Sequence, residues 1–208
     1  MPDFFYEQEA GKKGFKIICG IDEAGRGPWA GPVTAAAVVL DPGRVPRDVL
    51  ELLDDSKKIR KSQLRIIFET LTQSVDFGVG QASVEEIDDV NILQATFLAM
   101  RRAVDALPIS VDFALVDGNK IPKLQSPAQA IIKGDSKSFS IAAASIIAKV
   151  SRDSVMVDLS AQYPGYGWER NAGYGTAEHQ RALSTLGVTP AHRKSYAPIR
   201  KILGYESS

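Results

Sequence analysis

The chain has 208 residues, 44% of them hydrophobic, enough for one sizeable core and with nothing that marks a second full-sized domain. Lysine plus arginine and aspartate plus glutamate each total 25, giving a formal net charge of zero and a pI of about 6.7. No global field draws such a chain to a polyanion, so any nucleic-acid contact must rest on local charge. A single cysteine, Cys19, excludes an internal disulfide and fits a reducing compartment, where it reads as a small, inert, buried side chain. The start, residues 1–14, is polar with an aromatic cluster (Phe4, Phe5, Tyr6) and lacks the basic-then-apolar order of a secretory signal. No apolar stretch reaches the ~20 residues that span a bilayer, so a soluble cytoplasmic protein is expected.

In chain order, residues 16–21 and 33–40 are rich in apolar and β-branched side chains and read as buried strands. The glycine–proline turn between them makes a hairpin. Residues 63–71 place apolar side chains at 64, 67, 68 and 71, the spacing of one helical face, and Val75, Phe77 and Val79 then alternate as in a half-buried strand. Helical spacing resumes over 92–107. Two further strands are predicted at 111–116 and 129–132, and an alanine-rich helix at 139–159 with Ser136 or Ser138 as its cap. Beyond Tyr163 the composition turns abruptly to glycines and aromatics, and Thr176 caps a further helix that ends at Gly187.

Three strand ends carry acids. Asp22 and Glu23 close the first apolar run, Asp117 closes the fourth strand, and Asp135 follows the fifth through Lys133 and Gly134. Adjacent strand side chains face opposite sides of a sheet, so Asp22 and Glu23 can converge only where the pleat breaks, and Gly25 is expected to supply that break at the strand's exit. Ligands of open α/β sheets gather where strands end and connections diverge, which would give the four acids one crevice. Carboxylates so crowded repel one another and raise each other's pKa unless cations are present. An all-oxygen set selects Mg2+ or Mn2+ over zinc. The plainer reading of an Asp-Glu pair before a glycine is a solvated turn.

Other features carry similar pairs of readings. Gly25 and Gly27 invite a dinucleotide-binding fingerprint, but Pro28 and Pro32 interrupt helix growth and two carboxylates would repel a pyrophosphate. The amides of Gly25, Arg26 and Gly27 could instead meet a hydroxyl or phosphate close to the backbone. Ser56, Lys57, Lys58, Arg60, Lys61 and Arg65 form a basic run that is either a solvated helix start or a source of phosphate contacts. Tyr166, Trp168 and Tyr174 offer flat faces for a sugar or base, or else a small aromatic core; Tyr174, between two glycines, favours function and Trp168 favours core. His179 and His192 lie late in the chain, away from the acids, and are expected to be structural or capping.

The segments Gly20-Ile-Asp-Glu-Ala-Gly-Arg-Gly-Pro28, Asp55-Ser-Lys-Lys58, Asp117-Gly-Asn119, Lys133-Gly-Asp135 with Ile141-Ala-Ala-Ala-Ser145, and Gly173-Tyr-Gly-Thr176 with His192-Arg193 together resemble the bacterial ribonuclease HII family. The likeness runs in order from about residue 16 to 204. It implies an α/β, ribonuclease-H-like fold, a mixed five-stranded sheet flanked by helices, with a catalytic core over 1–160 and a C-terminal helical extension over 161–208 that completes the substrate groove. It implies a metal-dependent endonuclease, a monomer, acting on RNA in RNA/DNA hybrids and on duplex DNA with embedded ribonucleotides, with 5′-phosphate and 3′-hydroxyl products. Asp22, Glu23, Asp117 and Asp135 would be the catalytic acids and hold two divalent ions, Mg2+ or Mn2+. Gly25, Arg26 and Gly27 would read the ribose 2′-hydroxyl through the backbone, Tyr174 would pack on the sugar at the junction, and Ser56, Lys57 and Lys58 would contact the substrate. The chain departs from the family at Arg60, where a Ser or Thr cap is expected, and at Ala172, where a Lys is frequent. Rival readings are a ribonuclease HIII or DNA-cutting resolvase of the same fold, and a non-catalytic nucleic-acid-binding module.

Overall fold

The computed structural model describes residues 2–53 and 61–205. Five strands form one sheet: β1 (Ile18–Ala24), β2 (Val33–Val39), β3 (Asp76–Ala82), β4 (Phe113–Asp117) and β5 (Ala128–Ile131), in the order β3-β2-β1-β4-β5. The β1–β2 and β2–β3 pairs are antiparallel and the β1–β4 and β4–β5 pairs parallel, so the sheet is mixed, as expected. Eight helices flank it among the described residues: α1 (Phe5–Lys12), α2 (Arg47–Leu53), α3 (Lys61–Ser74), α4 (Val84–Asp105), α5 (Phe139–Gln162), α6 (Trp168–Asn171), α7 (Ala177–Leu186) and α8 (Ala197–Ile202).

Both faces of the sheet are buried, and β2 shows why. Its alternate residues Ala35 and Ala37 join Cys19, Ile21 and Val116 beneath α4, while Ala36 and Val38 face α3 and α5 on the other side. Small residues let the layers approach closely. A Cβ on Gly20 would come within 2.2 Å of the Ser140 backbone in α5, and one on Gly78 or Gly80 would strike the backbone of α4 at 2.2 or 2.3 Å. A third cluster, with Ala30, Met156, Tyr166, Trp168, Leu183 and Ile199, joins α6, α7 and α8 to the far end of α5.

Most predicted elements are present with shifted ends. Ser138 caps α5, accepting the Ile141 N–H at 3.2 Å, and Thr176 caps α7 as expected. Helix α4 begins at Val84 rather than near residue 92. Ser83 and Glu86 form a reciprocal capping box there, and Asn91 (φ 70°) breaks the helix and recaps its second half by accepting the N–H groups of Leu93 and Gln94. The helical spacing read from the sequence is that second half. Helices α1, α2, α6 and α8 were not anticipated individually. Strand β1 also extends further than expected: its pairing with β2 continues to Ala24 and Thr34, so Asp22 and Glu23 stand inside a paired strand and not beyond its exit.

Candidate active site

What opens the site is the mismatch between the two neighbours of β1. Pairing with β4 ends at Ile21 and Val116, whereas pairing with β2 runs on. Asp22 and Asp117, each one step past that last parallel pair, therefore share one face at the end of the sheet. Asp22 is 7% exposed, and its Oδ1 accepts the N–H of Glu23 at 2.7 Å. Asp117 is oriented by the N–H of Gly134, which donates to its Oδ1 at 2.5 Å. Lys133 adopts a left-handed conformation (φ 57°) that turns the chain from β5 into the short 3-10 turn carrying Asp135.

The electrostatics join these acids into one group. Burial pushes the Asp22 carboxyl well above its ordinary value, and the charges of Glu23, Asp117 and Asp135 push it further. Glu23 is raised by burial against the opposing pull of the Arg26 guanidinium, which lies 3.2 Å from its Oε1. Asp117 is raised by burial, with Asp135 adding to it. Among the described residues no three His, Cys, Asp or Glu side chains form a ready-made metal cage. The donor chemistry nevertheless fits a hard divalent ion: the group is carboxylate only, part of it is desolvated, and the Arg26 guanidinium offsets the repulsion only at Glu23 among the described residues.

Neither softer ligand type reaches the acids. Cys19 is buried beneath α4, with its thiol pushed up to about 12 by burial. His179 and His192 are buried among Tyr166 and Trp168, and their bonds specify their tautomers. Trp168 Nε1–H donates to His179 Nε2 (3.2 Å) and the Thr189 N–H to His192 Nδ1 (2.9 Å), so His192 Nε2–H must donate to His179 Nε2 (3.0 Å) and His179 Nδ1–H to the Tyr174 carbonyl (3.0 Å). The expectation of a structural role for both histidines agrees with this chain of bonds. Tyr166 and Trp168 stack on each other, centroids 5.0 Å apart, and are buried; Tyr174 is 51% exposed.

Beside the acids, a cavity of about 400 Å³ is lined by Glu23, Gly25, Arg26, Gly27, Lys149 and Tyr174. Gly25 has φ +93° and abuts Arg152, so the turn itself demands glycine there. Gly27 is different: its φ is ordinary, and an added Cβ would meet only the Tyr174 ring, at 3.4 Å. Ser56, Lys57, Lys58 and Arg60 lie outside the described residues. Ala172, the other departure, holds a left-handed conformation, and its carbonyl accepts from Arg152 Nη1 at 2.9 Å.

The family profile described as Ribonuclease HII matches residues 19–199, and the ribonuclease HII of Paramagnetospirillum magneticum is 57% identical over 203 residues, covering 98% of this chain and 99% of the relative. The chain belongs to the ribonuclease HII family. Like that family it is a metal-dependent endoribonuclease that cleaves RNA in RNA/DNA hybrids. Its fold is similar to that of the ribonuclease H2 from Pyrococcus horikoshii OT3, with a TM-score of 0.75 at 27% identity over 91% of this chain and 98% of that one. A structure of Bst-RNase HIII in complex with Mn2+ has the same fold, with a TM-score of 0.72 at 20% identity over 91% of this chain and 70% of that one.

Sequence reasoning assigned no role to two buried arginines behind the ribonuclease HII glycine turn, Arg152 and Arg193. The only signal for Arg193 was its place in the His192-Arg193 motif, and Arg152 sits in a helix with no pattern to single it out.

Proposed function

We propose that this endonuclease also nicks duplex DNA at embedded ribonucleotides, and that it hydrolyses the phosphodiester with two divalent ions held by Asp22, Glu23, Asp117 and Asp135, either Mg2+ or Mn2+. The water oxygen bonds to phosphorus, the bond from phosphorus to the 3′ oxygen breaks, and the released 3′ oxygen takes a proton, leaving 5′-phosphate and 3′-hydroxyl ends. When bound, such ions acidify the attacking water and stabilise the departing oxygen. The chain's own share is positional: the Gly134 N–H aims Asp117, the Glu23 N–H fixes Asp22, and Arg26 neutralises Glu23 until cation and substrate arrive.

Discrimination falls to the turn of Gly25, Arg26 and Gly27, whose amides meet the 2′-hydroxyl, the group that distinguishes RNA from DNA at one position. Tyr174 packs on the sugar, residues 161–208 complete the groove, and Ser56, Lys57 and Lys58 contact phosphates. The observation that carries this reading is Gly27. Neither its φ nor the space around it requires glycine, which is the pattern expected where a ligand approaches the backbone closely.

The test is cleavage of a labelled DNA duplex bearing one ribonucleotide, with and without Mg2+ or Mn2+, beside an all-DNA duplex. A single metal-dependent nick at the ribonucleotide is expected. Cutting of both duplexes, or of neither while a long hybrid is cut, would remove the embedded-ribonucleotide reading. For the turn, Gly27→Val must lose cutting or ribose preference; full retention of both ends the backbone-reader idea.

A further inference from the structure

Arg193 is wholly buried, yet among the described residues no carboxylate forms an ion pair with it; its donors go mainly to backbone carbonyls. Nε donates to Gly31 O (2.9 Å), Nη1 to Arg26 O (3.0 Å), and Nη2 to Gly25 O (2.6 Å) and Pro32 O (3.1 Å). Nη1 also donates to the Tyr196 hydroxyl at 2.9 Å, and that hydroxyl donates in turn to Arg26 O. Behind it, Arg152 donates to Pro32 O (3.0 Å), Ala30 O (3.1 Å) and Ala172 O (2.9 Å). Burying a guanidinium is costly unless its hydrogen bonds are made, and here that requirement is met by carbonyls of residues 25–32 and of Ala172, two of which, Gly25 O and Arg26 O, belong to the turn that lines the cavity beside the acids.

The consequence follows from peptide geometry. In a trans peptide the C=O and the N–H of the next residue point in opposite directions. With the carbonyls of Gly25 and Arg26 drawn inward to Arg193, the N–H groups of Arg26 and Gly27 are turned outward. No hydrogen bond among the described residues takes up either N–H. The segment bearing Arg193 is itself fixed: its N–H donates to Trp29 O (2.8 Å), the Gly31 N–H donates to Ala191 O (2.9 Å), and Asp88 in α4 accepts the N–H groups of Lys194 and Ser195 (2.9 and 2.8 Å).

We propose that Arg193, seconded by Tyr196, is a specificity-positioning residue: it holds the Gly25 and Arg26 carbonyls inward so that the Arg26 and Gly27 amides face the ribose 2′-hydroxyl. This rests on the backbone-reader assignment above and adds the device that orients the reader. A lysine at 193 keeps the charge but carries its three N–H donors on one nitrogen, and so cannot reproduce the planar fork that spans the Gly25, Arg26, Gly31 and Pro32 carbonyls.

The experiment measures binding of two fluorescent duplexes that differ by a single 2′-hydroxyl, by anisotropy in Mg2+, in an Asp22→Asn background that leaves them uncut. The ratio of the two Kd values is the ribose preference. Arg193→Lys is expected to lower that preference by about fivefold or more while the Kd for the all-DNA duplex stays within about twofold; Tyr196→Phe is expected to lower it by about two- to threefold. A merely structural loss would reduce the active fraction and weaken both duplexes alike. If Arg193→Lys folds, as judged by circular dichroism and melting, and retains the full preference, the proposal is overturned. If Arg193→Lys does not fold, Tyr196→Phe decides: intact preference overturns the proposal and reduced preference supports it. Absence of any ribose preference in the Asp22→Asn parent would instead remove the backbone reader, and this device with it.

Discussion

Gly25 lies directly against the guanidinium of Arg152: a Cβ at position 25 would come within 1.9 Å of Nε, and the residue's φ of +93° already disfavours any other side chain. Gly27, two residues on, is under neither constraint. The same motif therefore contains a glycine that the fold requires and one that the fold does not require, which is the one the proposed contact with the 2′-hydroxyl would need. Gly25→Ala is expected to destabilise the fold by about 2 kcal/mol or more, read from chemical denaturation, because both strain and a buried clash must be relieved. Gly27→Ala is expected to stay within about 0.5 kcal/mol of the parent and yet cut a ribonucleotide-bearing duplex more slowly. Equal stability losses at the two positions would contradict this division.

Asp22→Asn separates catalysis from stability. Turnover should be abolished while the fold remains. The folded Asp22 carboxyl holds its proton to higher pH than the unfolded one, whose ordinary value is 3.8, so in metal-free protein its contribution to stability is present below that value and lost as pH rises through the folded pKa. Removing the charge should thus stabilise metal-free protein at neutral pH, read as a higher denaturation midpoint than the parent's. Mn2+ should raise the Tm of the parent, since a ligand that binds only the folded state stabilises it, and raise that of Asp22→Asn much less. Parental cleavage rates from Asp22→Asn would refute the assignment of this acid.

Helix α1 is held by an acid 131 positions from its partner in sequence. Glu7 Oε1 accepts the Ser138 hydroxyl at 2.6 Å and the Ser140 N–H at 3.1 Å, at the start of α5. Beside it, Asp3 exchanges backbone bonds with Lys137 and Phe139. Glu7→Ala leaves these buried donors without their acceptor and should cost about 1–3 kcal/mol of global stability. Glu7→Gln keeps an acceptor oxygen and should recover part of it. Denaturation midpoints for the two variants check the ordering.

These contacts also mark where the sequence was legible and where it was not. The strands and the long helix α5 could be read because their apolar spacing is imposed by the layers they separate, as in the alternation of Ala35, Ala36, Ala37 and Val38. The acids were visible as polar interruptions at the ends of those apolar runs. The extension of β1 through Asp22 and Glu23 was not, because it depends on pairing with β2 and not on the propensity of the acids themselves. The Ser83 and Glu86 capping box was present in the sequence and would have started α4 correctly, but Asn91 cuts the helix and hides its first half. Helix α1 depends on Glu7 meeting Ser138, and the glycine turn on Arg193 from 168 positions away. Guanidinium-to-carbonyl bonds at such separations leave no periodic trace.

The paired histidines predict an acid-sensitive step. Their chain of bonds, from the Thr189 N–H through His192 and His179 to the Tyr174 carbonyl, requires both rings neutral, since His179 Nε2 and His192 Nδ1 are acceptors. Burial lowers the pKa of His179, and burial together with the neighbouring His179 lowers that of His192 to about 4, against an ordinary 6.5. The sign follows: between about 4 and 6.5 the unfolded chain binds a proton that the folded chain refuses. The stability due to neutral His192 is therefore complete above the unfolded value and lost as pH falls toward the folded one. At about 1.4 kcal/mol per pKa unit the loss should approach 2–3 kcal/mol across that window. His192→Gln, which cannot take up the proton, should flatten this part of the profile even if it lowers stability at neutral pH. Urea denaturation at half-unit steps from pH 7 to 4 measures it, and identical slopes for parent and variant would show that His192 is not the group being protonated.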